Sequence, residues 1–261
     1  MQEGPLIARF ARARRDPQLA VLEGFHPLKH ALRFGADVLE VVCRDAEELD
    51  RLAAQLAPDQ AARMRELARA VAPDVFAQLA PLPPSTGVIA LAERRAGDPA
   101  AMLADVRPAP IVLLEDPRDL GNMGACVRVA AAADAAGVLS TGSHDPWAPD
   151  ALRGAAGLHF ALPVARLGRL DVLGAPGTAG APARPLLALD PDGEPLVPHE
   201  LPARAVLAFG TERHGLSEEL LGRADARISI PMRAGVSSLN LATSVAAVLF
   251  AWRLSAQAPA V

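Results

Sequence analysis

The sequence predicts an α/β protein of two domains, a small α/β domain followed by a larger one built on a parallel sheet. Three observations lead there. Strand-like and helix-like segments alternate through the second half of the 261-residue chain. The stretch RAGDPAAMLADVRPAP interrupts the pattern with three prolines and small residues, marking a boundary near residues 95–109. Near the end, ISIPMRAGVSSLNLATSVAAVLF places a polar turn between a strand-like start and a helix-like finish. The expected division is therefore 1–105 and 106–261.

In the first domain, MQEGPLIARFARARRD is polar and basic, with Arg9, Arg12, Arg14 and Arg15 close together. As a phosphate-binding arm or as a solvated helix face it would look the same. Within LEGFHPLKHALRFG, Leu28, Leu32 and Phe34 have helical spacing and Gly35 suits a C-terminal cap; DVLEVVCRD then reads as a strand. AEELDRLAAQLA and DQAARMRELARAVA read as two helices with Asp45 and Asp59 placed to cap them. VFAQLA is a short helix, PLPPSTG a loop, and VIALAER a closing strand.

In the second domain, IVLLED is a continuous apolar run, as buried parallel strands show. A glycine-bearing loop and a helix around CVRVAAAADAAG follow, with Gly137 expected to end the helix. VLSTG is the next strand, and SHDPWAPDALRGAAG a turn and short helix leading into HFALPVARL. LLALD and AVLAFG are strands, ERHGLSEELLGRA a loop and helix, and ISIP the last strand, which Pro231 terminates because it cannot donate to a ladder. Val245, Val248 and Leu249 then resume helical spacing to about Leu254.

Composition narrows the function classes. Half the residues are apolar, and no apolar run approaches the ~20 residues that span a bilayer. No secretory leader pattern opens the chain, so the cytosol is expected. Cys43 and Cys126 have no CxxC spacing and read as buried thiols, and the six histidines show no ligand spacing, so no metal is expected. A net charge of −4 argues against bulk coating of nucleic acid, though not against a local basic groove.

Three loops follow apolar strands: DPRDLGNMGACVR, GTERHGLS and MRAGVSSLN. In a parallel sheet all three emerge at one edge, where open α/β proteins bind ligands. They gather Asn122, Arg128, Glu212, Ser238 and Asn240, with glycines that let a ligand approach the backbone. Each loop alone has a plain alternative: a tight turn at GNMG, a surface arginine, a helix N-terminal carboxylate, or capping by Ser237 or Ser238.

Together they resemble the three signature motifs of the SpoU, or TrmH-like, RNA 2′-O-methyltransferases of the SPOUT superfamily, over residues 111–254. NMGACVRVA from Asn122 to Ala130 matches the first motif, GTERHGL from Gly210 to Leu216 the second, and IPMRAGVSSLN from Ile230 to Asn240 the third. GFHPLKHAL and STGVIALAE also resemble the ribosomal-protein-like RNA-binding domain found ahead of this catalytic domain. Two departures concern local loop shape: Asp119-Leu120 stands where an acidic-Pro pair is usual, and GAAG where Ala-Ser-x-Gly is expected.

The resemblance implies a trefoil-knotted C-terminal domain that binds S-adenosylmethionine (AdoMet), with the adenine against backbone at Gly210, Ile230 and Leu239 and Met232 beside it. It implies methylation of a ribose 2′-hydroxyl. The family assigns Arg128 to proton removal; since a guanidinium ordinarily keeps its proton, contact with the adjoining phosphate is the physically easier role, and the two stand open. Ser238 and Asn240 would orient Arg128 and the ribose, Asn122 the first loop, and Glu212 the second loop or the arginine. A homodimer with RNA across both subunits is implied, for which Trp252 is a candidate anchor. The expected substrate is ribosomal RNA, with transfer RNA or a non-catalytic RNA-binding role as alternatives. A nicotinamide dehydrogenase is disfavoured because GxGxxG and its acidic partner are absent.

Overall fold

The structure, a computed structural model, describes residues 3–173, 183–211 and 214–257. In chain order its elements are α1 (Glu3–Ala13), β1 (Leu19–Glu23), α2 (Phe25–Arg33), β2 (Val38–Cys43), α3 (Ala46–Leu56), α4 (Ala61–Leu67), β3 (Ala68–Ala70), α5 (Pro73–Ala77), β4 (Val88–Glu93) and α6 (Pro99–Ala104). There follow β5 (Ile111–Leu114), α7 (Leu120–Ala132), β6 (Gly137–Ser140), α8 (Pro149–Gly154), β7 (Val164–Arg166), β8 (Leu186–Pro195), β9 (Val206–Phe209), α9 (Glu218–Arg223), β10 (Ala226–Ser229) and α10 (Leu241–Gln257). They form two compact units, Met1–Arg95 with Trp147–Ala161, and Ala96–Pro146 with Leu162–Val261. Residues 147–161 thus belong with the first unit, although a linear division at 105 assigns them to the second. Among the described residues no helix is long and apolar enough to cross a membrane.

The first unit carries a four-stranded sheet in the order β1-β4-β2-β3, antiparallel except for the β2–β3 pair. Leu6, Phe10 and Ala13 form one face of α1 and are buried with Val42, Phe76 and Ile89, so the N-terminal segment is an amphipathic helix. Two of its neighbouring arginines are engaged: Arg9 pairs with Glu40 at 3.1 Å and Arg14 with Glu23 at 2.6 Å. Arg12 and Arg15 stay exposed.

Several expectations need correction here. Strand β1 was not anticipated; four of its five residues are buried, and it pairs antiparallel with β4, a partner some seventy positions away in the chain. The helix expected over DQAARMRELARAVA stops at Leu67, where Ala68 turns to extended backbone and Ala68–Ala70 pairs in parallel with β2. Asp45 caps α3 through the amides of Glu47 and Glu48, as expected. Asp59 instead binds the Arg33 guanidinium through both oxygens at 2.9 and 2.6 Å. Gly35 takes the left-handed conformation after α2 that its position suggested, with φ of 69°. Both cysteines are buried thiols, and neither is in a disulfide.

Residues 147–161 are held to the first unit by polar and steric fit. Glu23, nearly inaccessible, takes a second ion pair from Arg153 at 2.6 Å. Gly157, at φ 76°, lies so close to the Pro27 backbone that a Cβ would overlap it. Trp147 is buried against the rings of His159 and Phe160. His30 donates its Nδ1 proton to the Ala156 carbonyl at 2.6 Å.

The second unit is a six-stranded sheet in the order β10-β8-β9-β5-β6-β7, and every neighbouring pair is parallel. Ile111, Leu113, Leu139, Ala188 and Val206 supply its core together with Trp252 from α10. Trp252 is therefore a core residue and not the exposed interface anchor that its position near the chain end suggested; Phe250 and Leu254 are the exposed apolar residues of that helix. Gly137 begins β6 and does not end α7. A Cβ there would meet the Pro163 carbonyl, and the helix is ended earlier, with Asp134 left-handed at φ 59°.

Burial lowers the His30 pKa below its ordinary 6.5, and the Ala156 bond, which acts the other way, does not offset it. The unfolded chain therefore binds more protons around that pH than the folded one, so stability rises with pH there and is lost on acidification. Denaturant titrations from about pH 7.5 to about pH 5 should show the wild-type midpoint falling below pH 6.5. In His30→Gln, whose amide can still donate to Ala156, the fall should be smaller.

Candidate active site

Strands β5, β9, β8 and β10 are consecutive partners in one parallel sheet, so their C-terminal ends share an edge. The three motif segments begin there. The first differs from expectation in its local structure. Helix α7 starts at Leu120, so Gly121, Asn122 and Gly124 lie on the helix and not in a loop. The cause is Asp119, whose Oδ1 accepts the Asn122 amide at 2.7 Å as an N-cap. The acidic residue before the motif's Gly-Asn is thus the cap that starts this helix.

The second segment closes tightly. Thr211 and Gly215 exchange two backbone hydrogen bonds, each 3.0 Å, and the Thr211 hydroxyl accepts the His214 amide. A Cβ on Gly210 would overlap the backbone of Gly215 and Leu216, so glycine is required by the crossing itself. Ser217 donates its amide and its hydroxyl to Glu115, at 2.7 and 2.5 Å, linking this segment to the end of β5. Glu212 falls outside the described residues.

The third segment is tied to the first. Asn240 donates its Nδ2 to Asn122 Oδ1 at 3.1 Å, while its own Oδ1 accepts the amides of Ala242 and Thr243. Asn240 is thus the residue that caps α10; Ser237 and Ser238 line a cavity instead.

That cavity has a volume of about 350 Å³, within the range of small-molecule sites. Its walls include Gly210, Ile230, Met232 and Leu239, the four residues expected to hold the cofactor, together with Ser238. A break in register between β8 and β10 opens it. Ala226 and Arg227 pair with Leu187 and Ala188, but Ile228 pairs with Glu194. The residues of β8 passed over in that step include Leu189, Asp190 and Pro191, which form a further wall. This wall could not be read from LLALD as a plain strand.

A second cavity, of about 680 Å³, shares Thr211, Gly215 and Leu241 with the first and is lined by Glu115, Asp116, Arg118, Asn122, His214 and Ser217 among others. Glu115, Asp190 and His214 are polar groups at this edge that sequence reasoning passed over. His214 stands inside the second motif and could have been found there.

Arg128 is exposed on α7, lines neither cavity, and makes no hydrogen bond or ion pair with the described residues. Among the described residues neither Ser238 nor Asn240 hydrogen-bonds to it; Asn240 donates to Asn122.

The SpoU rRNA Methylase family model matches residues 109–250, most of the second unit together with residues 147–161 of the first. The chain belongs to this family. Its members are AdoMet-dependent RNA 2′-O-methyltransferases, the class the three motifs resemble. Among relatives of this SpoU methylase, the 23S rRNA (adenosine(1067)-2′-O)-methyltransferase of Streptomyces laurentii is 31% identical over 245 residues, covering 91% of this chain and 86% of that protein. The 23S rRNA (uridine(2479)-2′-O)-methyltransferase of Streptomyces viridochromogenes is 30% identical, covering 87% and 79%. The crystal structure of the SpoU methyltransferase AviRb from Streptomyces viridochromogenes with AdoMet superposes with a TM-score of 0.76 at 25% identity, over 95% of this chain and 98% of that one. An AdoMet-bound rRNA methyltransferase from Sinorhizobium meliloti gives 0.72 at 25% identity, over 97% and 94%.

The residues of this SpoU methylase fit the cofactor. Phe209, Ile228, Ile230, Leu239 and Leu241 offer apolar walls for an adenine, and the glycine crossing brings backbone to the cavity. Gly210→Ala, whose Cβ cannot be placed without moving the Gly215–Leu216 backbone, should lower the denaturation midpoint by roughly the 1–3 kcal/mol that overpacking costs and weaken AdoMet binding in calorimetric titration.

Proposed function

We propose that this protein methylates a ribose 2′-hydroxyl of ribosomal RNA. The observation that supports it most directly is the Asn240–Asn122 hydrogen bond, which joins the first and third motifs beside the cavity holding all four expected cofactor residues. The cofactor supplies an electrophilic sulfonium methyl. A ribose hydroxyl held in line with that methyl would take it as the sulfur–carbon bond breaks, with S-adenosylhomocysteine as the leaving group and the hydroxyl proton passing to the adjoining phosphate. Arg128, exposed and without an internal partner among the described residues, binds the phosphate beside the target ribose and positions the hydroxyl, with the phosphate sharing the departing proton. Asn122 fixes the first segment, Ser238 and Asn240 orient the arginine and the ribose, and Glu212 holds the second segment or the arginine.

The first unit binds RNA under this reading, and the division into RNA-binding residues 1–105 and catalytic residues 106–261 is part of it. Ribosomal RNA is favoured over transfer RNA because relatives spanning both units are named for 23S rRNA. The C-terminal segment is threaded as a trefoil knot, and the protein acts in the cytoplasm on RNA that lies across a homodimer. Phe250 and Leu254, exposed on α10, suit a subunit interface. Light scattering at micromolar concentration should give twice the chain mass, and a monomer would count against the dimer.

The deciding experiment incubates the protein with labelled AdoMet and, separately, with ribosomal and transfer RNA, then maps the methylated ribose. Label in ribosomal RNA is expected; label in transfer RNA alone, or in neither, would overturn the assignment. Arg128→Ala should lower the rate by roughly 10²–10⁴-fold if the arginine assists proton removal. Its AdoMet affinity should stay unchanged, because Arg128 lies away from the cavity wall.

A further inference from the structure

Among the described residues lining the smaller cavity, Asp190 is the only one with an ionisable side chain. It sits on the excursion that β8 makes where its register with β10 breaks, so the backbone has been moved out of the ladder at the point where this carboxylate meets the cavity. The side chain is only 14% exposed. Its Oδ1 accepts the Asp192 amide at 3.1 Å. Its other oxygen faces Arg227 Nη1 at 3.6 Å, an ion-pair distance too long for a hydrogen bond. A carboxylate offers about four acceptor positions, and these contacts leave at least two unused in a wall whose other polar side chains are the neutral hydroxyls of Thr211, Ser237, Ser238 and Ser244. A shielded acceptor of this kind needs donors.

We propose that Asp190 accepts hydrogen bonds from the ribose hydroxyls of the cofactor's adenosine, making it a specificity residue for the nucleoside part of AdoMet. This rests on the assignment of the cavity to AdoMet. The cofactor offers three kinds of partner for a carboxylate, a cationic group, the 6-amino group of adenine or the vicinal diol of the ribose, and a dideoxy analogue separates the diol from the other two. Arg227 already balances the negative charge, so what Asp190 has left is acceptor capacity and not uncompensated charge. A paired diol suits two free acceptor positions, as acidic residues do in dinucleotide sites. The apolar residues around it can cover a base, and among the polar side chains of the described lining Asp190 is the only charged acceptor, the others being the hydroxyls of Thr211, Ser237, Ser238 and Ser244.

The test is calorimetric titration of the full chain with AdoMet, with S-adenosylhomocysteine, and with a 2′,3′-dideoxyadenosyl analogue of the latter. Asp190→Ala should weaken AdoMet and S-adenosylhomocysteine by the same factor, about 10- to 100-fold, as loss of hydrogen bonds to a charged acceptor implies. Removing the diol should cost the wild type a similar factor and the variant almost nothing. Asp190→Asn keeps an oxygen for the Asp192 amide, so it separates the turn from the carboxylate; it should still bind several-fold more weakly than the wild type. Wild-type affinity in Asp190→Asn, or weakening confined to the cationic AdoMet, would overturn the proposal while leaving the methyltransferase reading intact. A wild-type protein that binds neither AdoMet nor S-adenosylhomocysteine would overturn both.

Discussion

Six strands running in one direction impose a single constraint on the second unit: every strand must end at the same edge. Hydrogen bonding between parallel neighbours is satisfied along β10, β8, β9, β5, β6 and β7, and is released together where the chain leaves the sheet. That edge is where Asp119 starts α7, where Thr211 and Gly215 close on each other, and where Asn240 caps α10. The capping and turn interactions are local, but their meeting is not. Asn122 and Asn240 can share a hydrogen bond across 118 positions because β5 and β10 deliver them to the same side of one sheet.

The cavity depends on two places where that regularity is broken. At Gly210 the backbone crosses itself too closely for any side chain, which leaves peptide groups exposed to a ligand. Between β8 and β10 the ladder skips, and the freed residues of β8 become a wall. Sheet regularity positions the site, and interruption of the sheet hollows it. The first unit works differently: a carboxylate, Glu23, gathers Arg14, just past the end of α1, and Arg153 of the segment 147–161, and Gly157 fits against Pro27 where nothing larger would. Because Glu23 is almost inaccessible, losing either arginine would leave charge poorly compensated in the interior, which binds these pieces to a common arrangement.

How legible these features were in the chain depended on the range of the interactions behind them. Asp45 as a cap, Gly35 after a helix, the apolar strands IVLLED and AVLAFG, and the burial of both cysteines follow from local patterns and were foreseeable. Asp59 obeyed the same capping logic and failed it, because Arg33 offered a bidentate partner. The tripeptide at Ala68–Ala70 carries a helical pattern that parallel pairing with β2 overrides, and β1 had no signal beyond a short apolar run. Trp252 reads as an anchor near the end of a helix, yet it is absorbed into the core.

By itself the sequence determined the fold class, the family and the identity of the residues at the strand ends, since alternation of apolar periods and three ordered motifs are properties of a linear chain. Only the tertiary structure decided that Asn122 pairs with Asn240, that Arg128 stands away from the cavity, that Asp190 enters its wall, and that residues 147–161 join the first unit. These are outcomes of register and close approach between segments far apart in the chain. A shift of one residue in pairing would reverse which side chains face the site, and no local pattern records that choice.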